Sequence, residues 1–244
     1  MKKIVITLFL FCGLLLVSCE NDSTANVSRV TYYPLISVVG NDPIFVQKGG
    51  AFSDPGAIAT EGDKEIPFTT SVSGNYREGT SINTNIIDEY SVNYTATNVD
   101  GFKASGTRKV YVYNNGDLVN SLEGIYTSTV VRGGKSSAQY TDMGYILIWK
   151  NADGTYEMSD GFGGYYNIGR GYGTAYAGRP VIITVNNIPT NDFSIPDFSN
   201  DGFGGNIVMS EFTVNAESKT ITFTSTWDGS SNGTFKVTLT QVQP

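Results

Sequence analysis

The chain has 244 residues, with 16 Lys+Arg against 23 Asp+Glu for a formal net charge of −7, and it contains no histidine. That length suits one or two domains. The missing histidine excludes His-based triads, His general bases and His metal ligands, and an acidic balance without a basic run argues against nucleic acid as a partner. Glycine (28), tyrosine (15) and phenylalanine (13) are abundant beside many Thr, Ser, Asn and Val, which is a β-rich profile.

Lys2 and Lys3 precede an apolar run from Ile4 to Val17. The run is short for a permanent bilayer span and fits the apolar core of a signal peptide. It ends in Leu16-Val17-Ser18-Cys19, which resembles the bacterial lipobox. The resemblance implies that residues 1–18 are removed and that Cys19 is the lipid attachment site. Acyl chains would then anchor the protein to a membrane without a transmembrane helix. Cleavage also removes Cys12, so no intramolecular disulfide is expected. Glu20-Asn21-Asp22 resembles the short acidic signal that sends Bacteroidota lipoproteins to the cell surface, although a solvated tether has the same composition. The expected location is the outer membrane, lipid-anchored and facing the exterior.

Residues 19–37 are expected to form a flexible tether, being polar and aperiodic at least as far as Val30. A first block, residues 38–113, follows. Tyr90, Val92, Tyr94 and Ala96 alternate with Ser91, Asn93 and Thr95, which predicts a strand with one wet face. Asn98-Val99-Asp100-Gly101 supplies a turn, and Arg108 to Tyr113 forms the returning strand. Residues 114–121, opening on Asn114-Asn115-Gly116-Asp117, are expected to be a polar linker.

The second block, residues 122–244, opens at Leu122-Glu123-Gly124-Ile125-Tyr126. Tyr145, Leu147 and Trp149 face one way before the Asn151-Ala152-Asp153-Gly154 turn. Near the end, Ile221, Phe223 and Trp227 share one face and Thr220, Thr222, Thr224 and Thr226 the other. Phe235, Val237 and Leu239 repeat the alternation after the turn at Gly229–Gly233. Neither block offers a convincing amphipathic helix. The expected class is all-β: an N-terminal Ig-like β-sandwich and a C-terminal antiparallel barrel or sandwich of about eight strands, with a lipocalin-like barrel as one form.

Ala51-Phe52-Ser53-Asp54-Pro55-Gly56-Ala57, with Tyr94-Thr95-Ala96-Thr97, Asp100-Gly101 and Arg108-Lys109-Val110, resembles the bacterial Ig-like module named after a pesticidal crystal protein. That resemblance implies a small β-sandwich used as a spacer or adhesion module. The whole chain resembles a Bacteroidota two-domain surface lipoprotein family, in which such a module precedes a β-rich C-terminal domain. Its genes often accompany outer-membrane glycan uptake systems, so the implied partners are a glycan or outer-membrane uptake proteins.

The most unusual stretch is Ser159-Asp160-Gly161-Phe162-Gly163-Gly164-Tyr165-Tyr166, followed by Gly169-Arg170-Gly171-Tyr172-Gly173 and Tyr176. Asp-Gly-Phe-Gly-Gly recurs at Asp201 to Gly205. Tyr165, Tyr166, Arg170, Tyr172 and Tyr176 are the candidate ligand-binding residues, because aromatic faces pack on sugar C–H surfaces while hydroxyls and a guanidinium hold polar groups. The same composition suits a twisted barrel that needs glycine bulges and closes its ends with tyrosine. Trp149 and Trp227 lie in alternating strands and are expected in the core. Asp160, Asp201, Glu157 and Glu211 could be imagined as paired carboxylates for glycoside cleavage, but nothing in the sequence sets their separation, and scattered surface acids are the expected finding. No phosphate loop or EF-hand spacing is present, so no cofactor, metal or catalytic residue is expected.

The function expected is therefore that of a non-catalytic envelope lipoprotein that binds a glycan or another nutrient. The alternative is a structural or protein–protein interaction lipoprotein without a small-molecule ligand. Cys19→Ala should abolish metabolic labelling by palmitate and release the protein into the soluble fraction. Labelling that persists in the variant would contradict the anchor.

Overall fold

A computed structural model describes residues 30–231 and 233–244. Cys19, the signal peptide and the tether up to residue 29 lie outside the described residues. Among the described residues, sixteen strands form three sheets.

The first unit contains β1 (Pro34–Val38), β2 (Ile44–Gln47), β3 (Ala57–Glu61), β4 (Lys64–Glu65), β5 (Phe68–Gly74), β6 (Asp88–Thr97) and β7 (Lys103–Tyr113). One sheet has the order β1-β3-β4 and the other β2-β7-β6-β5, with β2 parallel to β7. The tether expected to reach residue 37 is shorter, because β1 begins at Pro34. Ile36 and Val38 alternate inward and pack against the cluster of Tyr90, Val92, Tyr94, Val110 and Val112. That burial draws the segment into the sandwich.

Arg108 explains why Asp54-Pro55-Gly56-Ala57 matters to this unit. Its side chain is fully buried, and its Nε lies 3.2 Å from both the Asp54 carboxylate and the Tyr94 hydroxyl. Its Nη2 donates to the Gly56 carbonyl at 3.1 Å and also to Val39, while Nη1 donates to Asn41. The Tyr94 hydroxyl donates to Asp54 at 2.7 Å. A guanidinium out of water needs every donor matched, so the irregular turn is held by the charge it neutralises.

The second unit contains β8 (Gly124–Arg132), β9 (Met143–Lys150), β10 (Tyr156–Met158), β11 (Val181–Asn187), β12 (Asp192–Ser194), β13 (Phe198–Ser199), β14 (Asn206–Asn215), β15 (Thr220–Trp227) and β16 (Thr234–Gln241). They form one antiparallel sheet of order β12-β11-β10-β9-β8-β16-β15-β14-β13. The sheet curls until its ends approach. Phe193 of β12 meets Phe212 of β14 at 4.9 Å between ring centroids, and Gly178 bridges Asn200. The result is a half-barrel, and its concave face carries the largest core cluster. The period-two pattern on β15 is realised as read: Ile221, Phe223 and Trp227 point in, beside a buried Ser225.

The linker expected at 114–121 is a folded connector. Asn115 Nδ2 donates to the Val242 carbonyl at 2.7 Å while its Oδ1 accepts from Ile125 N at 3.1 Å. The Asp117 carboxylate accepts from the backbone of Val119, Asn120 and Ser121. Asn and Asp side chains satisfy their own turns in this way, so a polar composition does not imply a free strand.

A third core lies between the units. Tyr76, Ile87 and Tyr111 of the first unit pack with Ile125, Leu147 and Trp149 of the second. β9 is thus buried on both faces: Ile146 and Ile148 enter the half-barrel, while Tyr145, Leu147 and Trp149 turn to the Ig-like unit. Trp149 is core as expected, but the core it serves joins the two units. Trp149→Ala should cost about 3–5 kcal/mol in urea denaturation. A loss below about 1 kcal/mol would mean that the two units are only loosely joined.

Candidate functional site

The concave face of the half-barrel is filled by the chain's own glycine-rich segment. The Ser128 hydroxyl of β8 donates to the Gly163 carbonyl at 2.7 Å, and the Ser225 hydroxyl of β15 to the Gly161 carbonyl at 2.6 Å. Both serines are fully buried. Asp160 Oδ1 accepts from Phe162 N at 2.8 Å and Gly178 N at 3.0 Å, and Gly161 N donates to Gly178 O. The two serine bonds tie the segment to strands that it does not belong to, the bonds to Gly178 tie it to the chain ahead of β11, and the Phe162 bond closes a local turn. An open lipocalin-type calyx is absent among the described residues, because residues 160–166 occupy that volume.

Glycine is required there for two distinct reasons. At Gly163 φ is +61°, and a Cβ would lie 2.5 Å from Val237 Cγ1. At Gly161 a Cβ would meet the Phe198 ring at 2.4 Å. The first position needs a left-handed backbone and both need close approach to the sheet. Beyond Gly164 the chain makes one π-helical turn, Tyr165–Gly169, closed by Gly169 N to Gly164 O at 2.8 Å and Arg170 N to Tyr165 O at 3.1 Å. Period-two alternation gives no signal for such a turn, which is why a helical element was not expected here.

The turn divides the five candidate residues. Tyr165 and Tyr166 are buried, packing on Phe235 at 5.3 and 5.9 Å, and Tyr166 also contacts Phe162 at 5.4 Å. Arg170 is exposed, Tyr172 is 47% exposed and Tyr176 is half-buried. Tyr172 and Tyr176 meet edge to face at 5.3 Å, and Tyr176 meets Phe203 at 4.8 Å. Phe203 is 45% exposed and leans on buried Trp227 at 5.6 Å. Tyr172, Tyr176 and Phe203 therefore form a surface aromatic group at the rim, backed by Tyr166 and Trp227. Trp227 is core, as expected, and its Nε1 donates to the Gly204 carbonyl at 3.0 Å.

Phe203 was missed, although the repeated pentapeptide pointed to it. Gly163 and Gly164 have φ of +61° and +82°, and Gly204 and Gly205 have +72° and +86°. Phe162 and Phe203 occupy the same place in two like turns, and both touch Tyr166 and Trp227. One phenyl is fully buried and the other lies at the surface. Tyr140, Arg132 and Lys135, which flank the tyrosines, left no signal in the alternation pattern.

Electrostatics differ sharply between the rim and the interior. Burial opposes ionisation of Tyr165, but hydrogen bonding from Tyr140, Arg132 and Arg170 outweighs it and brings the phenol down to about 8. The Arg132 guanidinium lies 5.2 Å over the Tyr165 ring and 5.4 Å over Tyr166. Asp160 is opposite in character: burial pushes its carboxyl up to about 7, against hydrogen bonds from Gly178, Phe162 and Gly164. Its Oδ2 has no hydrogen-bond partner among the described residues. The other carboxylates considered from sequence are separately engaged or exposed. Glu157 pairs with Arg179 at 3.3 Å, Glu211 accepts from Thr224 Oγ1, and Asp201 is on the surface.

Asp160 makes stability depend on pH. Its folded value is raised above the ordinary carboxylate value near 4, so between about pH 4 and 7 the folded state holds the extra proton. Stability falls as pH rises through that window, by up to about 4 kcal/mol. Asp88, pushed by burial up to about 6, acts in the same direction. Asp160→Asn should flatten denaturation free energies between pH 5 and 8 by at least about 1 kcal/mol relative to the parent. An unchanged slope would show that Asp160 is ionised throughout.

Residues 115–241 match a family described as a C-terminal domain, and residues 36–112 match the family described as "Bacterial surface protein, Ig-like domain". Among solved structures, the chain is similar to the lipoprotein BT2262 from Bacteroides thetaiotaomicron. The two share 24% identity and a TM-score of 0.63, over 86% of this chain and 100% of that one. The likeness extends to the fold. A search of the curated proteins found no match.

Proposed function

Since the chain belongs to the family of that C-terminal domain and carries a bacterial surface Ig-like domain ahead of it, we propose that it is a cell-surface lipoprotein whose C-terminal domain binds glycan without catalysis. Lipid on Cys19 would hold it to the outer membrane, facing outward. The Ig-like unit then sets the distance and, through the shared core, the orientation of the binding domain.

The observation that carries this proposal is the exposed aromatic group of Tyr172, Tyr176 and Phe203. Its members project from two glycine-flanked turns whose backbones are fixed from below by Trp227 and Tyr166. Rigid rings at a wet surface lose little entropy on contact and suit the apolar faces of sugar rings. Interior binding is disfavoured because the concave face is already packed. Delivery to an outer-membrane uptake system is the natural use of a captured glycan.

Tyr172→Ala should weaken glycan affinity roughly five- to hundredfold in titration calorimetry with little change in melting temperature. Tyr166→Ala should instead lower stability by about 2–4 kcal/mol. Glycan affinity unchanged in Tyr172→Ala, or no glycan bound by the parent, would favour the alternative of a lipoprotein that contacts only other envelope proteins.

A further inference from the structure

Beside the aromatic group the rim opens into a cleft of about 280 Å³ lined by Arg132, Lys135, Ser136, Ser137, Tyr140 and Tyr165. Tyr140 also borders a second, shallower cleft with Gln139, Arg170 and Tyr172. The two clefts are therefore neighbours across one ring, and the second reaches the aromatic group through Tyr172. Three of the chain's 16 basic residues gather here, on a protein of net charge −7. Among the described residues, no carboxylate lines either cleft. Hydroxyl and guanidinium donors dominate both.

We infer that the glycan is acidic, with a carboxylate or sulfate substituent held in the Arg132–Lys135 cleft while adjacent rings stack on Tyr172, Tyr176 and Phe203; this rests on the glycan-binding proposal. The volume admits one charged sugar unit rather than a chain. Arg132 is set in place before any ligand arrives. Its guanidinium spans Tyr165, Tyr166 and Phe235 at 5.2–5.4 Å, and Nη2 reaches Ser230 Oγ at 3.3 Å. Arg170 stands 5.6 Å from the centroid of the same Tyr165 ring. Donors that favour negative charge on the Tyr165 oxygen, bringing its phenol down to about 8, will favour it on a ligand oxygen as well. Lys135 and Ser136, exposed on the loop, add a mobile charge and a hydroxyl at the mouth.

The test compares two matched pairs on the full-length protein in detergent: oligogalacturonate against its methyl ester, and chondroitin sulfate against its desulfated form. At least one acidic member should bind tenfold or more tighter than its partner in which that group is blocked or removed. The pair that shows the difference identifies carboxylate or sulfate. Lys135→Ala, which alters only an exposed side chain, should narrow that difference several-fold, and Arg132→Gln/Lys135→Ala, checked for an unchanged melting temperature, should remove most of it. Equal affinity within both pairs would overturn the inference and leave glycan binding intact. No binding by any of the four would overturn both. A preference that survives the double variant would place the charge recognition elsewhere.

Discussion

A nine-stranded sheet that curls on itself creates a concave face that must be filled, and whatever fills it must not strand backbone polar groups out of water. Here the filler is a piece of the same chain. The carbonyls of Gly161 and Gly163 would be orphaned inside the half-barrel, and Ser225 and Ser128 supply the missing donors from the sheet. Asp160 does the same for the amides of Phe162 and Gly178. Two hydroxyls and one carboxylate oxygen thus convert an irregular segment into a packed interior. Much else in the C-terminal unit follows from that fit, including the glycines, the π-helical turn and the expulsion of Tyr172 to the rim.

The carboxylate is the least comfortable member of this set. One oxygen is fully used and the other has no partner among the described residues, so the group is held near-neutral by burial. The rim has the reverse character, with hydrogen bonding from Tyr140, Arg132 and Arg170 favouring ionisation of Tyr165 against its burial. The same short segment therefore connects a proton-binding interior to an anion-favouring surface. The core shared with the Ig-like unit lies on the opposite face of β9, so the two units and the filled half-barrel form a continuous packed body.

The strands were legible because period-two alternation is a direct imprint of a two-faced sheet, as Ile221, Phe223 and Trp227 show. The Asp54 turn and Arg108 were legible as a resemblance, and the buried ion pair gives its physical reason. What alternation does not encode is which apolar face meets which neighbour. Tyr145, Leu147 and Trp149 share a face as read, yet that face belongs to the interface between units. The tyrosine cluster was legible only as a cluster. Whether Tyr165 or Tyr172 reaches solvent depends on one i to i+5 turn, and that turn is stabilised by packing against residues far away in sequence. Phe203 could have been found by asking why a pentapeptide with two glycines appears twice.

Hydrogen exchange at the amides of Phe162 and Gly178 most directly tests the claim that the half-barrel is filled by a pinned segment and binds only at its rim. Both amides donate to Asp160 deep within the concave face. A pinned segment predicts exchange through global unfolding alone, with protection matching that of central strands β8 and β15 and rates that track denaturant stability. Exchange as fast as the exposed loop at residues 133–137, with central strands still protected, would mean that the segment opens. The interior would then be an accessible cavity, in contradiction to a filled half-barrel.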